Sequence, residues 1–240
     1  MRGKIILEEH VCMPEDNAAK LLAMACRNPR DLAEALLDLH QYRLEEMNQN
    51  GVEHAIISQN PPGTQGIRDA EEAESYAIRS NNYIAELVGK APERFTAFAA
   101  LSMHRPHSAV EEMRRCVNKL GMVGVLLNDA QEYITEQNVV KEHYYDESRY
   151  DVFWSAVQEL DVPVYLHPKG PLPQDYVRLY KDRPWMLGPT WSFARDTGFH
   201  AMALCTSGLF DRFPGVRLIL GHMGMPNSFF VANPQSLTNL

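Results

Sequence analysis

The chain has 240 residues, of which 45% are hydrophobic and 22% charged, an ordinary globular composition that suits one large α/β domain or two small ones. Its net charge of -8 at pH 7 argues against a nucleic-acid partner, which needs a basic protein face. The four cysteines form no CxxC pair, as is typical of reduced thiols. Because no signal-peptide core or membrane-spanning apolar run is found, we expect a cytoplasmic protein without a membrane partner.

Short β-rich runs alternate with longer helical patterns along the chain. Such alternation predicts βαβ units and a parallel sheet. In chain order the predicted elements are strand Lys4–Glu8, helix Asp31–Asn50, strand Glu53–Ser58, helix Ala70–Ala91, strand Phe95–Leu101, helix Ser108–Leu120, strand Val123–Asn128, helix Tyr150–Leu160, strand Val162–His167, helix Thr190–Phe210 and strand Val216–Gly221. Ser108 followed by Glu111 predicts a capping box at the start of its helix.

Two architectures fit this pattern, an open doubly wound sheet and a (β/α)8 barrel. No glycine-rich phosphate loop follows Leu7, which argues against the nucleotide-binding version of the open sheet. Polar residues instead end several different strands, as in a barrel whose strands each deliver a residue to one face. We therefore predict a TIM-type (β/α)8 barrel with about six of its eight strands present.

Glu8 and His10 lie two residues apart at the end of the first apolar run. On a strand, residues i and i+2 point to the same side, so a carboxylate and an imidazole converge there. Such a pair suits a divalent metal such as Zn²⁺, Mn²⁺ or Mg²⁺. Glu9 points the opposite way, and we expect a structural role for it.

Two further histidines end apolar strands. His167 precedes Pro168, and His222 lies between Gly221 and Met223 where the strand breaks. One histidine at a strand end is ordinary, but together with Glu8 and His10 these side chains predict a functional site at one edge of the sheet.

Several dispersed segments resemble the amidohydrolase-related metal-dependent decarboxylases, with members such as the γ-resorcylate (2,6-dihydroxybenzoate), 2,3-dihydroxybenzoate and salicylate decarboxylases. The resemblance runs continuously from residue 1 to Gly224. The segments that carry it are Gly3–His10, Phe95–Leu101, Arg114–Asn118, Leu160–Pro168, Leu187–Ala194, Gly208–Pro214 and Leu220–Gly224.

The resemblance implies a barrel that holds one divalent metal ion and removes CO₂ from a hydroxybenzoate without oxidation. By position, Glu8, His10 and His167 would be metal ligands. His222 would be the histidine that faces the substrate, either as an acid/base or as a group that supports the metal ligands. Asn128 would be a polar contact to the substrate, a small aromatic carboxylate. We also expect a homo-oligomer, either a dimer or a tetramer.

The chain departs from the family pattern after Gly224. Met225 stands where the family has a glutamate that works with the histidine, and residues 225–240 resemble no family member. We therefore expect an incomplete barrel domain over residues 1–224 and a non-homologous tail over 225–240. Without the last two strands and their metal-binding aspartate, we expect impaired activity.

Two rival functions stay open. One is a metal-dependent hydrolase on the same scaffold, although hydrolases of this superfamily commonly begin with His-x-His where this chain has Glu8-Glu9-His10. The other is a non-catalytic fragment or pseudoenzyme. Among the remaining features, His104 is a further candidate for the site. Trp185, Trp191 and Phe193 are candidates for an aromatic lining, for core or for oligomer contacts. Surface or packing roles are expected for His40, His54, His107, His143 and His200.

Overall fold

A computed structural model of the chain describes residues 3–16, 32 and 35–224. Its strands are β1 (Lys4–Val11), β2 (Val52–Gln59), β3 (Phe95–Ala100), β4 (Gly124–Asn128), β5 (Gln131–Ile134), β6 (Val140–His143), β7 (Val164–His167) and β8 (Leu218–Leu220). Six of them form one parallel sheet in the order β1-β2-β3-β4-β7-β8, and β5 pairs with β6 in an antiparallel hairpin.

Helices connect the parallel strands and cover one face of the sheet. They are α1 (Tyr42–Gln49), α2 (Ala70–Gly89), α3 (Pro106–Leu120), α4 (Asp151–Leu160), α5 (Pro173–Asp175), α6 (Ser192–Thr206) and α7 (Leu209–Arg212). A π-helical turn spans Tyr176–Tyr180, and 3₁₀ turns span Gly63–Gly66, Ser148–Tyr150, Pro184–Met186, Gly188–Thr190 and His222–Gly224. None of the described helices is long and apolar enough to cross a bilayer.

The strand order identifies the architecture. In a doubly wound sheet the order reverses at a switch point, whereas here each parallel strand lies beside its predecessor from β1 to β8. Alternate residues then face the inside of a curved wall, where Ile56, Phe98, Leu126, Tyr165 and Ile219 form an apolar cluster with one member from each of five strands. The fold is the predicted TIM-type barrel wall with six strands.

The main core lies between the sheet and its helices. Phe95, Phe153 and Trp154 are at most 1% exposed, and the Trp154 Nε1–H donates to the Tyr145 carbonyl at 2.8 Å. Burying an aromatic side chain of this kind stabilises a fold by about 1.5–3 kcal/mol. This packed layer fixes the strands in place and so positions the residues at their carboxyl ends.

All six predicted strands are confirmed, but three predicted helix boundaries are wrong. α3 begins at Pro106 after Arg105, with no side-chain cap, so the capping box of Ser108 is not formed. The predicted helix Asp31–Asn50 is interrupted because the Asp38 carboxylate accepts hydrogen bonds from the backbone N–H groups of residues 40, 41 and 42. The predicted helix Thr190–Phe210 divides into α6 and α7 at Gly208, whose φ is +74°.

Two parts of the sequence prediction need separate mention. The hairpin of β5 and β6 was not predicted; its five-residue loop includes Asn138 in the left-handed region, with φ +59°. The predicted tail over 225–240 lies outside the described residues.

Candidate metal and substrate site

β1 presents Glu8 to the inside of the wall and Glu9 to the outside. The register with β2 shifts between Ile6 and Glu9, which marks a local irregularity at this point of the strand. Glu9 forms an ion pair with Arg43, whose guanidinium also donates to the His10 carbonyl at 3.0 Å. The geometry agrees with the structural role predicted for Glu9.

β7 and β8 bring two histidines to the Glu8 carboxylate. Glu8 Oε1 lies 3.3 Å from His167 Nε2 and 3.1 Å from His222 Nε2. Glu8 Oε2 accepts hydrogen bonds from the Tyr165 hydroxyl at 2.5 Å and from the His222 backbone N–H at 3.2 Å. His222 and Met223 have φ of +48° and +64°, a left-handed turn that carries the imidazole to the end of β8.

His10 lies beside this cluster. Its ring meets that of His167 edge-on, with 4.8 Å between the ring centroids. The three side chains whose donor atoms all lie within 4.8 Å of one another are Glu8, His167 and His222. Among the described residues, the structure thus places His222 in the donor cluster and His10 next to it.

Burial and hydrogen bonding keep the groups of the cluster in defined protonation states. Burial raises the pKa of Glu8, but hydrogen bonds from His167, Tyr165 and the His222 backbone outweigh it and lower that pKa to about 2. Burial, reinforced by His167, lowers the pKa of His10 to about 3. Burial also lowers the pKa of His222, against the opposing effect of Glu8. At neutral pH the carboxylate is therefore ionised, and His10 and His222 are neutral.

This donor set fits a divalent metal ion. One anionic carboxylate and neutral imidazoles are the ligands that Zn²⁺ and Mn²⁺ accept, and the ligands must be deprotonated to bind. The Nδ1 atom of His10 is buried and has no hydrogen-bond partner, and buried polar atoms without partners are rare.

A cavity of about 640 Å³ opens above the cluster. Its walls combine the donor side chains with apolar and charged groups, including Pro61, Pro168, Phe193, Glu132 and Lys169. The Phe193 ring meets the His222 ring edge-on, with 5.1 Å between centroids. The volume and the mixed lining are typical of a site for a small molecule.

Asn128 ends β4 directly opposite His167 in the parallel register. Its side chain is buried, and its Oδ1 atom has no partner. A Cβ atom on Gly63, whose φ is +53°, would lie 2.7 Å from Asn128 Nδ2. The lining of this cavity does not include Asn128, so its contact with a substrate stays a prediction.

Two residues that contact the site, Tyr165 and Lys169, were not predicted from the sequence. Tyr165 holds the Glu8 carboxylate, and its position two residues before His167 on the same strand is the signal that points to it. Lys169 is 3% exposed and bonded to Glu132 and Glu142. Burial disfavours the Lys169 cation, but the two carboxylates outweigh this and raise its pKa.

The other histidines have packing or surface roles. His104 Nε2 lies 2.9 Å from the Ile67 carbonyl, away from the cluster. His200 is fully buried against Asp129, with 2.8 Å between Nδ1 and Oδ1, and its Nε2 accepts the Tyr145 N–H. Trp185 and Trp191 are 69% and 44% exposed, so of the three aromatic candidates the cavity lining contains Phe193.

Comparisons with known proteins agree with this geometry. The family model described as Amidohydrolase matches residues 28–232. The γ-resorcylate decarboxylase of Rhodococcus jostii is 46% identical over 224 residues, which cover 93% of this chain and 68% of that protein. A γ-resorcylate decarboxylase from a Rhizobium species is also 46% identical, with 67% of its length covered.

Solved structures give the same relationship. A 2,6-dihydroxybenzoate decarboxylase in complex with 2,6-dihydroxybenzoate has a TM-score of 0.89 and 42% identity, over 100% of this chain and 74% of that one. A dihydroxybenzoic acid decarboxylase from a Polaromonas species, with bound manganese and the inhibitor 2-nitroresorcinol, has a TM-score of 0.88 and 42% identity, over 95% and 68%. The chain therefore belongs to the amidohydrolase family, in the group of its members that includes the γ-resorcylate decarboxylases.

Proposed function

We propose that the chain supports metal-dependent, non-oxidative decarboxylation of an ortho-hydroxybenzoate, a carboxy-lyase reaction. The observation that carries the proposal is the cluster of Glu8, His167 and His222 at a cavity of about 640 Å³. The similarity to γ-resorcylate decarboxylases at 46% identity supports the reaction class. We also propose that residues 1–224 form an incomplete barrel domain and that residues 225–240 form a non-homologous tail.

The proposed metal ligands are Glu8, His10 and His167, with Zn²⁺, Mn²⁺ or Mg²⁺ as the ion. When bound, such an ion acts as a Lewis acid on the oxygen atoms of a substrate carboxylate and its neighbouring hydroxyl. Tyr165 donates to Glu8 Oε2 and so orients the other carboxylate oxygen toward His167 and His222. The lowered pKa of Glu8 keeps this ligand ionised at every physiological pH.

His222 is the proposed acid. Decarboxylation forms a C–H bond at the ring carbon that bears the carboxylate; when the carbon–carbon bond then breaks, its electron pair restores the aromatic ring and CO₂ leaves. A proton must therefore reach that carbon. Because His222 is neutral at pH 7, it would first take up a proton from the solvent and then deliver it from its place in the cavity wall. Phe193 packs against this imidazole and offers an apolar face to the substrate ring. Asn128 is proposed as a polar contact to the substrate.

The test is CO₂ release from 2,6-dihydroxybenzoate by the full chain after loading with Mn²⁺. We expect activity that a chelator removes and Mn²⁺ restores, and that Glu8→Gln and His167→Ala abolish. His107→Ala, which removes an exposed histidine on α3, is the control and should leave the rate unchanged.

Two results would contradict the proposal. Hydrolysis of amides or esters without CO₂ release from any ortho-hydroxybenzoate would establish a metal hydrolase instead. A folded, metal-loaded chain that neither releases CO₂ nor hydrolyses these substrates would establish a non-catalytic protein.

A further inference from the structure

The hairpin of β5 and β6 carries two carboxylates on one face beside the cavity. Glu132 and Glu142 are directly opposite each other in the antiparallel register. Their side chains are 12% and 15% exposed. Like charges in such a pair repel each other, and partial burial strengthens the repulsion.

Lys169 contacts both carboxylates. Its Nζ lies 2.5 Å from Glu142 Oε1 and 3.2 Å from Glu132 Oε1, and its side chain is 2% exposed. Glu132 also accepts a hydrogen bond from Arg68 at 3.0 Å, so two cations balance the two carboxylates. Lys169 follows His167 by two residues, so the same strand end supplies a cluster histidine and this cation.

Lys169 and Glu132 both belong to the cavity wall that contains His167. A substrate that enters this cavity as a benzoate brings a negative charge toward Glu132. Without Lys169, the wall would carry uncompensated negative charge and would repel an anion. With Lys169 in place, Lys169 and Arg68 balance the two carboxylates, and the wall does not repel an anion.

We propose that Lys169 is a positioning residue that holds the β5–β6 hairpin against the cavity and, together with Arg68, balances the charges of Glu132 and Glu142, so that the cavity accepts an anionic aromatic ligand. The inference rests on the proposed function. This role and a purely structural role predict different results. If Lys169 balances charge, its loss weakens the binding of an anionic ligand more than that of an uncharged ligand; if Lys169 only holds the hairpin, its loss weakens both equally.

The experiment compares two probes that differ in charge, 2,6-dihydroxybenzoate and uncharged resorcinol, by calorimetric titration of the Mn²⁺-loaded full chain. Lys169→Met should weaken benzoate binding by about tenfold, as expected for uncompensated charge near an anion in a partly buried site. Resorcinol binding should change by less than about twofold on the same argument. Lys169→Arg should retain benzoate binding.

Two further variants isolate the charge. Lys169→Met combined with Glu132→Gln and Glu142→Gln removes these three charges and leaves the Arg68 cation, so it should restore benzoate binding. Lys141→Met removes an exposed cation from the same hairpin and should have no effect. Should Lys169→Met fail to fold, Glu142→Gln alone decides the question, since a surplus of positive charge should tighten benzoate binding and leave resorcinol unchanged.

The outcomes separate the two proposals. If the wild-type chain binds neither probe, the proposed function is wrong and this inference is wrong with it. If the wild-type chain binds both, equal losses of the two probes in Lys169→Met would show that Lys169 only fastens the hairpin. Failure of the triple variant to recover benzoate binding, or an unchanged benzoate affinity in Glu142→Gln, would likewise overturn the charge-cancelling role.

Discussion

At the scale of single residues, the site depends on groups that hold its donors in place. The Tyr165 hydroxyl donates a hydrogen bond of 2.5 Å to the Glu8 carboxylate. Tyr165 lies two residues before His167 on β7, so this strand supplies both a histidine of the cluster and the group that orients the carboxylate. Groups that orient a ligand in this way are commonly worth about 10–100-fold in metal affinity or activity.

We therefore expect Tyr165→Phe to weaken Mn²⁺ binding by about 10–100-fold while the protein stays folded. The measurement is calorimetric titration with Mn²⁺. Tyr180→Phe is the matched control, because the Tyr180 hydroxyl is buried without a hydrogen-bond partner and lies outside the cavity lining. Equal affinities for Tyr165→Phe and the wild-type chain would show that the hydroxyl does not orient Glu8.

His143 makes the stability of the hairpin depend on pH. Its ring stacks on Tyr133 with 3.8 Å between centroids, and burial together with Arg149 lowers its pKa from 6.5 to about 4. The unfolded chain therefore binds more protons than the folded chain between these values, so stability is fully present above pH 6.5 and is lost as the pH falls toward 4.

His143→Phe keeps an aromatic ring on Tyr133 and removes the titrating group. We expect the free energy of unfolding to fall less steeply between pH 6.5 and 4 than in the wild-type chain. Urea unfolding at a series of pH values measures this, with His107→Phe as the control for the loss of a histidine. A slope identical to that of the wild-type chain would rule out this contribution.

At the scale of elements, the barrel wall requires close backbone approach at β4. A Cβ atom on Gly124 would lie 2.7 Å from the Pro163 carbonyl oxygen and 2.9 Å from the Phe98 ring. Phe98 belongs to the inner apolar cluster, so the strain would spread into the wall under the site.

Gly124→Ala should lower the free energy of unfolding by about 1–3 kcal/mol, the usual cost of overpacking. Gly89→Ala is the matched control: it lies at the end of α2, a Cβ atom there meets nothing within 4 Å, and alanine should be neutral or stabilising by up to about 1 kcal/mol. Urea unfolding of both variants gives the comparison, and equal stabilities would contradict the packing argument.

At the scale of the whole molecule, the sheet presents an apolar edge. Among the strands of the described chain, β1 pairs with β2 alone, and its Ile5 and Leu7 are 65% and 38% exposed. A cavity of about 650 Å³ with Ile6, Leu36 and Met47 in its lining adjoins the same strand. An apolar edge strand that no other described strand covers favours pairing between chains, and we therefore propose that the chain forms a homo-oligomer.

We expect the chain to elute and scatter light as a species larger than its mass of 27.3 kDa. Replacing Ile5 and Leu7 together by lysine should shift the population toward the monomer, because charged side chains oppose edge-to-edge pairing. The matched control replaces Ile78 and Val177, which are 44% and 62% exposed away from the sheet edge. A monomeric wild-type chain would exclude association through this edge.

Much of the fold and part of the site were predictable from the sequence. Apolar runs bounded by helical patterns predicted all six parallel strands, because a strand buried on both faces leaves a continuous apolar signature. The carboxyl ends of parallel strands meet at one edge, so Glu8, His10, His167 and His222 were expected together. The structure brings donor atoms of Glu8, His167 and His222 within 4.8 Å of one another and places His10 beside them.

The tertiary structure alone decided the features that depend on partners far apart in the chain. Tyr165 reaches Glu8 across 157 positions, and Lys169 joins two strands of a hairpin that has no strong turn signal. The Asp38 carboxylate interrupts the predicted helix by accepting hydrogen bonds from nearby backbone N–H groups, and the spacing of apolar residues in the sequence does not predict these bonds. Local patterns determine which segments become strands and helices, whereas the charge and hydrogen bonding of a site depend on contacts that exist only after the chain has folded.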